Sequence, residues 1–262
     1  MLVCRALEES GFVNGFSTRL GGVSAFGPDA GGESGMDLNL AGFDEDLAEN
    51  IHENRRRFVN VFGGEFRLAT VWQIHGDTIK PIQTIDDIGN SEDKADALVS
   101  NVTGVLVGAK TADCVPVLIG DPVTGAFAAI HAGWRGTVQS IVSKAVAQMA
   151  ELYSSKGEDL VAAIGPAAGC KNYEIGEDVT TAFAENFDSS EKYFTPTRAG
   201  HALVDLHAAN RDQLLAVGVT AENIFTAPFC TMERPDLFFS YRLEKRRYGK
   251  TGRLLSVIGR CP

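Results

Sequence analysis

Thr111-Ala112-Asp113-Cys114-Val115-Pro116-Val117-Leu118-Ile119-Gly120, then Asp121-Pro122-Val123-Thr124, then Gly125-Ala126-Phe127-Ala128-Ala129-Ile130-His131-Ala132-Gly133-Trp134-Arg135-Gly136, is the stretch on which the fold turns. Two apolar runs of strand length, Val115 to Ile119 and Ala126 to Ile130, flank Asp121–Thr124, and Asp before Pro suits a type I turn. The runs therefore read as a hairpin. Pairing Ile119 with Ala126 puts Cys114 directly opposite His131 at the open end. Opposed residues share a face with Cβ atoms about 4.5–5.5 Å apart, close enough to share one metal ion or one proton. A slip of one residue would send them to opposite faces, so the inference rests on the register.

Working outward, a first strand at Phe12 to Ser17 leads into a glycine-rich loop from 21 to 42 holding Gly21, Gly22, Gly27, Gly31, Gly32, Gly35 and Gly42. A loop that long usually carries function. Asp44 reads as the N-cap of a helix in which Leu47, Ile51, Phe58, Val59 and Phe62 recur at helical spacing until Gly63-Gly64 stops it. Strands are expected at Leu68 to Ile74, Thr78 to Ile82, Ala97 to Ser100 and Gly104 to Gly108. One helix is expected from about Thr137 to Tyr153. Beyond it come a strand at Leu160 to Ile164, helices at Asp178 to Phe187 and Asp205 to Val217, and strands at Asn223 to Thr226, Phe238 to Arg242 and Leu254 to Ile258. The hairpins make this an α/β fold with mixed sheets. No linker interrupts residues 1–262, which read as a single domain.

Composition narrows the function. The 262 residues carry 24 Lys+Arg against 34 Asp+Glu, a net charge of −10, which disfavours a nucleic-acid partner. No apolar stretch reaches the length of a membrane span, and the start, Met1 to Ser10, lacks the pattern of a signal peptide. Five scattered cysteines, an odd number, read as reduced thiols in a cytoplasmic protein. The sequence assigns no oligomeric state.

His75, before Gly76 at the end of an expected strand, joins Cys114 and His131 as a third candidate ligand. One thiolate and two imidazoles make a plausible zinc shell with a fourth position open. There is no CxxC-type spacing, so on spacing alone a buried thiol with two hydrogen-bonded histidines explains the residues equally well.

The ordered segments Gln73-Ile74-His75-Gly76, Thr111–Leu118 and His131-Ala132-Gly133-Trp134-Arg135-Gly136 resemble the signature of the laccase-domain family, also called multicopper polyphenol oxidase-like or peptidoglycan editing factor proteins. Phe16–Ser24, Asp37-Leu38-Asn39-Leu40, Ala95-Asp96-Ala97, Gly165-Pro166, Cys230-Thr231 and Phe238–Arg242 extend the resemblance over nearly the whole chain. It implies a layered α/β/β/α fold with mixed sheets, related to cysteine-dependent toxin deamidases. It implies that His75, Cys114 and His131 bind Zn²⁺ (copper is the lesser alternative) and are catalytic. It implies phosphorolysis of adenosine, inosine, guanosine and methylthioadenosine, and deamination of adenosine, with purine nucleosides and phosphate as partners. Arg19, Asn39, Gln73, Arg135 and Arg242 are the residues it suggests for substrate binding. The family's Cys-Cys pair before Tyr-Glu is not kept: the stretch reads Ala167-Ala168-Gly169-Cys170-Lys171-Asn172-Tyr173-Glu174, so Cys170 is given no catalytic role.

Among these residues, Arg135 sits where a strand turns into a helix, a place suited to phosphate. Arg19 and Arg242 offer guanidinium forks. Trp134 suits purine stacking or core anchoring equally. Asp113 should point to the other face of its strand and make a strand-end hydrogen bond. The basic run Lys245-Arg246-Arg247 with Lys250 and Arg253 reads as a solvated loop, and His52, His201 and His207 as structural or exposed. Two other enzyme classes use the same residues: a cysteine-dependent hydrolase editing peptidoglycan precursors, with Cys114 as nucleophile and His131 as base, and a copper polyphenol oxidase. Five histidines are too few for the oxidase. A purely binding protein would need a fourth protein ligand, and no Cys or His has a matching position.

Overall fold

The hairpin forms, but in another register. In a computed structural model that describes residues 1–26, 37–89 and 92–262, the strands Val115–Gly120 and Phe127–Ala132 pair antiparallel with Gly120 opposite Phe127 and Pro116 opposite His131. The pairing is thus displaced by two residues from the expected one. The cause is the turn. The Asp121 N–H donates to the Ala126 carbonyl and the Gly125 N–H to the Asp121 carbonyl, both at 2.8 Å, so the loop is Pro122–Gly125. Gly125 takes φ 76, a left-handed value open to glycine, while the Asp121 carboxylate accepts the Val123 and Thr124 N–H groups. A displacement of two keeps the faces. Cys114 and His131 therefore still look the same way, as diagonal neighbours.

Around this hairpin runs a six-stranded mixed sheet, ordered Ile224–Thr226, Val161–Ile164, Val115–Gly120, Phe127–Ala132, Ala97–Ser100, Ile79–Ile82, with parallel pairs at both edges. A four-stranded sheet lies against it, ordered Val13–Phe16, Leu254–Gly259, Val105–Thr111, Arg67–Ala69. Side chains alternate between layers. Val115, Val117, Ile119, Ala128 and Ile130 pack against the helices Ile141–Tyr153 and Leu206–Ala216. Leu118, Phe127 and Ala129 meet Val105, Val107 and Ile258 between the sheets. Leu106, Leu255 and Val257 form the far face of the second sheet, under Phe58 of the helix Ala48–Asn60. The result is the α/β/β/α layering that the resemblance implied. A small three-stranded sheet, Glu174–Gly176, His201–Val204 and Phe194–Pro196, adjoins it. No helix among the described residues is long and apolar enough to cross a membrane.

Several elements differ from expectation, and the helix expected to be capped by Asp44 begins at Ala48 with Leu47 at its N-cap. The strand expected to run to Ile74 ends at Ala69, so Gln73–Gly76 is loop and His75 does not end a strand. The helix expected from Thr137 is two, Trp134–Val138 and Ile141–Tyr153, broken at Ser140 with φ 60. The Gln213 side chain bridges the break, donating to the Thr137 carbonyl at 2.8 Å and accepting the Val142 N–H at 3.2 Å. Phe238–Arg242 is no strand. The Phe238 N–H donates to the Arg234 carbonyl at 2.9 Å, closing a turn, and Ser240 caps the helix Tyr241–Tyr248. Lys245–Arg247 accordingly lie in the last turn of that helix, not in a loop. Of the glycine-rich stretch, Leu20–Ser24 forms a strand, and Gly27, Gly31, Gly32 and Gly35 lie outside the described residues.

Candidate active site

His131 leaves its strand on the inter-sheet side and is 3% exposed. Asp96, directly before the neighbouring strand Ala97–Ser100, fixes it twice: its carbonyl accepts the His131 N–H, and its Oδ1 lies 2.8 Å from His131 Nδ1. The same carboxylate accepts the N–H groups of Ile74, His75 and Gly76 at 3.2, 2.9 and 2.7 Å. Those three bonds hold His75 at φ 59, a backbone state that costs a non-glycine residue roughly 1–2 kcal/mol. One carboxylate thus places both imidazoles. Burial raises the Asp96 pKa, but His131 and the amide donors outweigh it and keep the group below its ordinary range. An ionised Asp96 accepts a hydrogen bond from His131 Nδ1–H, which leaves Nε2 to face the site.

Cys114 arrives from the other side of the hairpin. Asp113, at φ 87, turns the chain just before the strand. Its buried carboxylate accepts Thr231 Oγ1 at 2.6 Å, Ser240 Oγ at 3.0 Å and the Arg242 N–H at 2.7 Å. The expected strand-end role of Asp113 is therefore that of a pin, drawing the segment from Cys230 to Arg242 beneath the site.

The ligand atoms of His75, Cys114 and His131 lie within 4.8 Å of one another, and the two imidazole rings stand 4.8 Å apart at 83°. His75 is exposed, so the cluster opens to solvent. Gly133 supplies the space: a Cβ there would lie 3.1 Å from Cys114 Sγ and 3.2 Å from His75 Cδ2. Burial pushes the Cys114 thiol up, yet the His131 charge and hydrogen bonds from both histidines bring it down to about 6. Burial works against the His131 imidazolium, and Cys114 with Asp96 raises it to about 9. In the metal-free pair both shifts run toward thiolate and imidazolium.

These observations test the fit of a metal. A thiolate, two imidazoles whose orientations are fixed by one carboxylate, and a cradle that one methyl group would fill suit an open tetrahedral Zn²⁺ site. His52 lies beside Phe43, His201 faces the Ala199 carbonyl and His207 the Gly165 carbonyl. Among the described residues these three join no second metal-ligating group.

The remaining expected residues are placed as follows. The Arg242 guanidinium lies 5.0 Å from the Tyr173 ring and donates to the Glu174 carbonyl. The Tyr173 hydroxyl is pushed up to about 12, by burial first and then by Cys114, which sets it near the site. Arg135 is exposed and stacks on Trp134 at 4.2 Å, while the half-buried Trp134 packs on the core. Gln73 clamps the backbone of Lys110. Asn39 is buried between Asp46 and the Arg253 N–H. Arg19 is bound to both oxygens of Asp37 and to Glu244. Cys170 is exposed. Asp96, Gly133 and Tyr173 carry the site without having been assigned a role from sequence. Asp96 follows from register alone, since pairing Ala97 with Ile130 sets Asp96 opposite His131.

Fold and cluster together define a layered α/β protein with a histidine–cysteine–histidine centre at the end of its paired sheets. The chain belongs to the family described as multi-copper polyphenol oxidoreductase laccase, which matches residues 13–261. It is 37% identical over 245 residues to a Deinococcus radiodurans protein named purine nucleoside phosphorylase, spanning 93% of this chain and 87% of that one. A Bacteroides thetaiotaomicron protein of the same name is 44% identical over 165 residues, and the match spans 60% of its length. The crystal structure of YlmD from Geobacillus stearothermophilus superposes with a TM-score of 0.86 at 32% identity, over 96% of this chain and 93% of that one. That of the hypothetical protein YfiH from Bacillus licheniformis gives 0.88 at 28% identity, over 99% and 96%.

Proposed function

We propose that this protein is a zinc-dependent purine nucleoside phosphorylase acting on adenosine, inosine, guanosine and methylthioadenosine, and that the same site deaminates adenosine. The observation that carries the reading is the convergence of His75, Cys114 and His131 under Asp96. The names of the relatives point the same way. Bound Zn²⁺ would supply Lewis acidity at an open position. Nitrogen and sulfur ligands suit zinc, whereas a copper oxidase needs further histidines, and His52, His201 and His207 are engaged elsewhere.

In phosphorolysis a phosphate oxygen bonds to C1′ of the ribose, the C1′–N9 bond breaks, and its electron pair leaves with the purine, which takes up a proton. The chain's part is to bind, orient and exclude water. Tyr173, which feels the Cys114 charge, and Arg242, against the Tyr173 ring, are the candidates to contact the nucleoside, with Trp134 and Arg135, just beyond His131 in the chain, as further ones. A reduced Cys114 requires a reducing compartment, and we assign the cytosol.

Incubating adenosine, inosine, guanosine and methylthioadenosine with and without phosphate tests this. Free base with ribose 1-phosphate should form only with phosphate (methylthioribose 1-phosphate from methylthioadenosine), and adenosine should yield inosine without it. Base release indifferent to phosphate would refute the reading. A second reading, a cysteine hydrolase editing peptidoglycan precursors, is favoured by one observation, the Cys114 thiol held at about 6 by His131. Chelation would then leave activity intact.

A further inference from the structure

Lys110 is out of keeping with its neighbourhood. It lies on the same face of the strand Val105–Thr111 as Leu106, whose layer packs under the helix Ala48–Asn60. Leu255 is its partner across the sheet, and Arg253 follows two residues along on that face. Arg55 comes down from the helix, its Nε donating to the Leu40 carbonyl at 2.8 Å, while the Leu40 N–H donates to the Arg253 carbonyl at 3.0 Å. One residue of main chain therefore joins Arg55 to Arg253, and Lys110 lies one strand over.

All three cations are half-buried. Among the described residues no carboxylate ion-pairs with Arg55 or Lys110, whose side chains donate to the carbonyls of Leu40 and Val71. Arg253 reaches Glu45 at 3.2 Å, and Glu45 is shared with Lys245. The cluster works against itself: burial, then Arg55 and Arg253, push the Lys110 ammonium down to about 8. Burial alone pushes Arg55 down to about 10. Half-buried like charges with one shared acid are costly, and a bound anion would offset that cost.

The cluster is tied through the main chain to the segments that carry the metal-ligating residues. Gln73, two residues before His75, binds the Lys110 carbonyl at 2.7 Å and its N–H at 2.8 Å. Cys114 lies four residues beyond Lys110, and Asp96 is within electrostatic reach of its ammonium. Phe43 and Tyr241 lie against the guanidinium planes of Arg55 and Arg253, at 5.3 and 5.6 Å, and help fix their orientation.

We propose that Arg55, Lys110 and Arg253 form the phosphate subsite of this active site, two guanidinium forks and one ammonium receiving the oxygens of inorganic phosphate. The assignment rests on the phosphorolysis reading. It moves the anion away from Arg135, which is exposed, stacks on Trp134 and begins a helix of only five residues.

Calorimetric titration of inorganic phosphate into the purified metal-loaded protein tests it. Lys110→Met and Arg55→Gln should each weaken phosphate binding by about tenfold or more, while Lys192→Gln, which pairs with Asp212 in the helix layer of the other sheet, stays within about twofold. In steady state the phosphate KM should rise with the nucleoside KM held within about twofold. Lys110→Met keeps the apolar stem and removes a buried charge. It should melt no lower than wild type without phosphate, and phosphate should no longer raise its melting temperature. If Arg55→Gln does not fold, Lys110→Met decides alone. Phosphate affinity unchanged in Lys110→Met, absent in wild type, or lost in Arg135→Gln but kept in the cluster variants would overturn the assignment. Phosphate binding that depends on the cluster in a protein that cleaves no nucleoside would leave the subsite standing and remove the phosphorolysis reading.

Discussion

Asp96 holds both histidines at once, through the ring of His131 and the three amides Ile74 to Gly76. Asp96→Asn keeps the size and removes the charge that orders both imidazoles. Metal affinity should fall about 10–100-fold with the fold intact, as measured by competition with a chromophoric chelator; unchanged affinity would demote Asp96 to a structural role. Cys114 gives a second expectation. Its thiol is held at about 6, so thiolate forms as pH rises through that value. Alkylation of the metal-free protein should therefore level off by about pH 7, where an ordinary thiol near 8.5 is still far from its plateau. A midpoint near 8.5 would contradict the imidazolium–thiolate pair. The three ligands were legible in the sequence because Cys and His carry their chemistry on their face. Asp96 was not, because an aspartate gains meaning only when strands 35 residues apart are paired. Arg253 was misread for a related reason: a basic run looks solvated until the sheet that half-buries it is known.

The hairpin shows how far element-level reading reaches. Its strands and shared face followed from composition, while its register depended on Gly125, whose left-handed φ moves the turn by one residue. The break at Ser140 left no such trace, since serine is unremarkable inside a helix and the bridging Gln213 comes from 73 residues away. Phe238-Phe239-Ser240-Tyr241-Arg242 has the aromatic content of a strand, but the turn from Arg234 to Phe238 and the helix cap at Ser240 decide against one. Gln213→Leu tests the bridged break. It removes two buried hydrogen bonds; the Thr137 carbonyl keeps the Ser140 N–H, while the Val142 N–H loses its partner at a cost of about 1–3 kcal/mol. Urea unfolding should show a lower midpoint at unchanged slope. A midpoint equal to wild type would mean the two helices hold their geometry without it.

At the scale of the whole molecule, the layers bring four chain segments to one edge: the loop before Gly76, the start of Ala97–Ser100 and both strands of the hairpin. Mixed sheets followed from the hairpins, and the double layer from the family resemblance. The crossovers that order the six strands were not legible, because nothing local encodes which non-adjacent strands pair. The whole chain carries −10, so phosphate approaches a repelling surface. Screening over about 8 Å at physiological ionic strength lets a local group of cations override it. The central claim is that metal held by His75, Cys114 and His131 is what makes this a phosphorylase. The direct measurement is phosphate-dependent base release from inosine by protein whose metal content is followed by elemental analysis through stripping and zinc readdition, with Cys114→Ser alongside. The account expects activity to fall and return with bound zinc, and the Cys114→Ser protein to lose most metal and most activity together. A demonstrably zinc-free protein that cleaves inosine at the original rate would contradict it.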